Sequence, residues 1–67
     1  MENRTLIYNT IMPHEAQLVK DKLESEGISV LILNQQDSMY KAFGTIELYV
    51  PNEDAEKARA IVEDFRE

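Results

Sequence analysis

The run Asn34-Gln35-Gln36-Asp37-Ser38-Met39-Tyr40-Lys41-Ala42-Phe43 gathers the side chains in this chain best suited to recognition. Its amides, carboxylate and hydroxyls can donate and accept hydrogen bonds, and Met39, Tyr40 and Phe43 add apolar and stacking surface. Such a mixture suits noncovalent binding rather than bond-breaking. Asn34, Asp37, Ser38 and Tyr40 are the candidate partner-binding residues. The plain alternative is a structural loop whose Tyr40 and Phe43 fold back over the end of a small core.

The other reactive residues do not converge. His14 is the single histidine, and Glu15 beside it points in another direction on a helix, so the pair cannot close on one ion. Glu47 reads as a solvated strand carboxylate that could pair across a dimer or meet a cation. Catalysis by Asp37, Glu47 and His14 together has no support in their spacing. Gly27 and Gly44, as the only glycines, cannot build a phosphate loop, and no serine lies in a nucleophile motif. The expectation is no enzyme activity, no catalytic residue, no metal and no cofactor.

Charge narrows the partners. Thirteen acidic against seven basic residues give a net charge of −6, which repels phosphate backbones and anionic lipid heads. Tyr8 and Tyr49 resemble the stacking pair of an RNA-binding sheet, yet no basic residue neighbours Tyr49. No nucleic acid and no membrane are expected as partners. The absence of cysteine suits a reducing cytoplasm, and neither a signal peptide nor an apolar run of ~18 residues is present, so a cytoplasmic protein is expected.

These groups must be held by a small frame, a single domain over residues 1–67. Arg4 to Thr10 reads as a first strand of ambiguous facing, with Leu6 and Tyr8 on one side and Ile7 on the other. Pro13 to Ile28 reads as one helix with a marked end leading into a strand: Pro13 suits the first position, Ala16, Val19 and Leu23 form its buried stripe, and Gly27 supplies the left-handed residue that ends it, with Ile28 closing over Leu23. Met12 is a poor cap, so this helix should fray at its start. Leu18 lies off the stripe and should be exposed.

Ile28 to Leu33 reads as a second strand and Gly44 to Val50 as a third, with Ile46, Leu48 and Val50 inward and Thr45, Glu47 and Tyr49 outward. Asn52 should cap a second helix whose stripe is Ala55, Ala58, Ile61, Val62 and Phe65, with Glu53 and Asp54 on its positive end. The order predicts an α+β, ferredoxin-like β-α-β-β-α domain: a three-stranded antiparallel sheet with the third strand central and two helices on one face. The outer edge of the first strand would be open, and Leu31, Leu33 and Tyr49 would lie on the face away from the helices.

Several stretches together resemble a known family: Glu15-Ala16, Leu23-Glu24-Ser25-Glu26-Gly27-Ile28, and Val50-Pro51-Asn52-Glu53-Asp54-Ala55 with Lys57-Ala58. The chain is similar over nearly its whole length to the small bacterial domain-of-unknown-function family labelled putative prokaryotic signal-transducing proteins. The segment from Leu33 to Tyr40, with Phe43-Gly44 and Glu47-Leu48-Tyr49-Val50, resembles one subgroup of it. The resemblance implies a fold like that of the PII nitrogen regulators and a role in signalling.

The functional expectation is a non-enzymatic regulatory or protein-interaction module, presenting loop 34–43 and the open sheet face to an unknown protein partner. A homodimer is expected as well, because so small a domain buries little surface by itself. The rival is an ACT-like sensor binding a metabolite at a subunit interface near the turn Asn9-Thr10-Ile11-Met12, a turn without the glycine that would let a ligand approach the backbone.

Overall fold

A computed structural model of the chain describes residues 3–34 and 45–66. Strand β1 (Arg4–Thr10) is followed by helix α1 (Pro13–Ser25), strands β2 (Leu31–Asn34) and β3 (Ile46–Pro51), a 3₁₀ turn (Asn52–Asp54) and helix α2 (Ala55–Arg66). The sheet is ordered β1-β3-β2, and β3 pairs antiparallel with both neighbours. This is the expected α+β, ferredoxin-like arrangement.

The central position of β3 follows from its alternation. Ile46, Leu48 and Val50 are all buried, while Glu47 and Tyr49 between them are only half-buried. The inward three meet Ala16, Val19 and Leu23 of α1 and Ala55, Ala58 and Val62 of α2 in one core. Alanine at three of the helix positions keeps the side-chain layer thin, so both helices can lie on the same small sheet. Leu18 is exposed, as expected, and Phe65 departs from expectation: α2 buries its stripe as far as Val62 and leaves Phe65 38% exposed.

The end of α1 is a full Schellman turn. The Ile28 N–H donates to the Leu23 carbonyl at 3.1 Å, the Gly27 N–H donates to Glu24 at 3.0 Å, and Gly27 has φ +85°. Leu23 and Ile28 are both buried beside this turn. Strand β2 starts later than predicted, at Leu31 rather than Ile28. Ile28 gives its N–H to the helix, and the ladder with β3 begins at Leu31.

Strand β3 runs from Ile46 to Pro51 rather than from Gly44 to Val50, and Gly44 lies outside the described residues. The boundary of the second helical segment also moves back by one residue: Pro51 precedes the 3₁₀ turn, and Asn52 is its first residue. Asn52 links strand and turn, since its Oδ1 accepts a 2.6 Å bond from the Thr5 hydroxyl and its N–H donates to the Asn3 carbonyl.

The ambiguity of β1 is resolved by a bulge. Leu6 lies opposite Tyr49 and Tyr8 lies opposite Leu48, so two steps along β1 match one along β3. Ile7 is the additional residue, and the bulge lets Ile7 and Tyr8 both pack against the core. Leu6 consequently falls on the outer face, 40% exposed.

Candidate functional site: the open sheet face and the loop end

The face of the sheet away from the helices can be read from the ladder as rows across the strands. Leu6, Tyr49 and Leu31 form one row through β1, β3 and β2, and Asn9, Glu47 and Leu33 form the next. Arg4 stands opposite Pro51 on the other side of the apolar row. An apolar stripe thus runs across the sheet with a cation beyond one flank and a carboxylate on the other. The helices pack on the opposite face, and on this one Leu6 is 40% exposed while Tyr49 and Leu31 are half-buried.

Within this face the Tyr49 hydroxyl donates to Glu47 Oε1 at 3.0 Å. That bond, with some burial and the negative charge of Glu47, raises the Tyr49 phenol above its ordinary value of 10.0. The phenol therefore remains a neutral donor, and the pair is an amphipathic tile: an aromatic ring in the apolar row tied to a carboxylate in the polar one.

The loop end of the sheet is fixed by β2 and β3. Asn34 lies opposite Ile46, and Ile46 lies opposite Thr10, so β2 ends and β3 begins at the end of the sheet where β1 passes into α1. Of the candidate binding residues, Asn34 has its backbone in β2 at this end. Asp37, Ser38 and Tyr40, like Met39 and Phe43, lie outside the described residues. His14 is exposed on the first turn of α1, on the helix side, while Glu47 faces outward from the sheet, so the structure does not bring these two together.

Met12 leaves the start of α1 without a side-chain cap, and a clasp joins the preceding strand end to the first turn. Thr10 Oγ1 accepts from the Met12 N–H at 3.1 Å and donates to Glu15 Oε1 at 2.6 Å. Met12 is thus the poor cap expected, and the Thr10 hydroxyl ties down the N–H of Met12 itself rather than those of the first turn. Glu15 also places negative charge on the positive end of α1. The hydrogen bond from Thr10 first, then one from Tyr8 and the charge of His14, hold the Glu15 carboxyl below its ordinary value of 4.5 against a small opposing effect of burial. The only hint in the sequence was a threonine and a glutamate five apart, wider than the three-residue spacing of a capping box.

A carboxyl depressed in the folded state stabilises the fold above its unfolded value and loses that contribution as pH falls through the folded one. The clasp should therefore weaken in acid, in a window lying below 4.5. Thermal melts across that range are expected to show a smaller acid-induced drop for Glu15→Gln than for the wild-type chain. Equal drops would mean that the carboxylate is not held by the clasp in solution.

Split β-α-β connectivity around a central third strand defines a ferredoxin-like α+β domain. Within that class, the chain belongs to the family described as putative prokaryotic signal transducing protein, which it matches over residues 5–66. No curated protein and no solved structure matches it significantly. The family description places the chain among signal-transducing domains. Among the described residues no group of histidine and acidic side chains is arranged to hold a metal, and no helix is long and apolar enough to cross a membrane.

Proposed function

We propose that this protein is a non-enzymatic regulatory module of cytoplasmic signal transduction, acting by protein–protein contact through its open sheet face and loop 34–43. The observation that carries the reading is the apolar row Leu6, Tyr49 and Leu31, which the chain's own helices leave uncovered. Contiguous apolar surface on a small domain is costly to leave in water and marks interaction sites. Family membership in signal transduction and the PII-like layout implied by the resemblance agree with it. The lack of cysteine fits a reducing compartment.

The clasp argues against the metabolite-sensor alternative. In this chain the Met12 N–H at the strand-to-helix turn already donates to Thr10, and Glu15 brings a carboxylate to the helix N-terminus. An anionic metabolite would have to displace both.

Partner capture by the tagged protein, repeated with the Asn34→Ala, Asp37→Ala, Ser38→Ala and Tyr40→Ala changes combined, tests the proposal. The quadruple variant is expected to melt near the wild type and to lose partner binding by more than about tenfold, since few residues carry most of an interface's energy. A stability loss of roughly 3 kcal/mol from Tyr40→Ala alone would instead make that residue part of the core. A reproducible metabolite-induced rise in melting temperature would favour the sensor.

A further inference from the structure

We infer that the open sheet face is completed by a second copy of this chain, packed face to face about a two-fold axis that runs along the row Leu6, Tyr49, Leu31. This deepens the proposed function by naming the occupant of one of its two surfaces, and it leaves the loop end available to a different protein.

The argument rests on the order of the rows. Going along the strands, the outer face presents Arg4, then the apolar row, then Asn9 with Glu47 and Leu33. A two-fold axis lying between two such faces and parallel to the rows reverses the strand direction of the second copy. The apolar rows then meet each other. Each flanking row lies ~7 Å away, two residues along a strand, so Arg4 of one copy comes over the row that holds Glu47 of the other, twice.

The arrangement is self-complementary in sign as well as in polarity, which an isologous interface requires. Sheets packed in this way sit ~10 Å apart and cross at about −30°, a gap that Leu6, Leu31, Tyr49 and an extended arginine can fill. Glu47 accepts the Tyr49 hydroxyl, and an ionised carboxylate accepts several hydrogen bonds at once, a guanidinium's among them.

The opposite charges select this face and this direction rather than supply most of the affinity, because exposed ion pairs contribute little. A net charge of −6 on each copy adds repulsion, and a three-stranded face is small beside the area of a standard stable interface. A weak dimer follows, on the order of 10–100 µM in Kd.

Sedimentation equilibrium on the full chain tests this, with Arg4→Glu, Glu47→Arg, the combined reversal, and Arg59→Glu as a control that changes net charge as Arg4→Glu does, from an exposed site on α2. Circular dichroism confirms that each variant folds. The wild type is expected to dimerise, each single reversal at residue 4 or 47 to raise Kd by roughly tenfold or more, and the combined reversal to recover most of that loss, as direct coupling requires. Arg59→Glu should change little.

A strictly monomeric wild type would overturn the inference, as would a dimer indifferent to the single reversals or one that the combined reversal does not recover. Any of these would place self-association elsewhere or nowhere. Partner capture through loop 34–43 would be unaffected, so the broader proposal is judged separately.

Discussion

Leu48→Ala should cost about 3 kcal/mol in chemical denaturation, within the range measured for emptying a leucine site in a packed core. Leu48 is fully buried, at the middle of the central strand, opposite Tyr8 on one side and Ile32 on the other. Both neighbours lean on the same core, so the cavity left by the truncation cannot close without moving two strands. The loss is severe because a domain of this size has a net stability of only about 3–10 kcal/mol. Leu18→Ala is the internal comparison. Leu18 is 48% exposed on α1, and alanine is the better helix former, so its loss should stay within about 1 kcal/mol. Similar losses at the two positions would mean that the layer order is wrong.

Gly27→Ala should cost about 1 kcal/mol or somewhat more, and for a reason other than crowding. A Cβ at this position would meet nothing within 4 Å, so steric contact with the rest of the fold contributes nothing. The cost comes from φ +85°, which an alanine adopts only under strain, reduced by the lower entropy of an unfolded chain carrying alanine. Because Gly27 and Ile28 donate the two bonds that close the Schellman turn, a relaxation of φ would also loosen Ile28 from the core. Gly27→Asn separates the two contributions, since asparagine tolerates the left-handed region better and should lose less. A neutral or stabilising alanine would show that the turn is built differently in solution.

Much of the frame was legible because it is written in local chemistry. The stop at Gly27 needs one residue without a Cβ, the burial of Ile46, Leu48 and Val50 needs only alternation, and the stripe of α1 needs only the helical period. The resemblance carried by the stretches around Leu23-Ile28 and Val50-Ala55 reached the family for the same reason: these are turn and core positions whose residue types the backbone dictates. Site prediction was less complete. Asn34, Asp37, Ser38 and Tyr40 were chosen by type alone, and their assignment to a partner rests on the proposed experiment.

What the sequence by itself determined is the order of elements, the inward sets of α1 and β3, the end of α1 and an excess of acidic residues. What only the tertiary structure decided is how non-neighbouring residues meet. The bulge at Ile7 depends on fitting Leu6, Ile7 and Tyr8 to Tyr49 and Leu48, about forty residues away, and no period in three apolar residues specifies it. The start of β2 at Leu31 is set by its register on β3. The clasp of Thr10 on Glu15, and the placing of Arg4 and Glu47 on opposite flanks of one apolar row, likewise arise when strand pairing and helix docking bring separate stretches together. Local propensity sets which elements form, whereas register across the sheet sets which side chains share a surface.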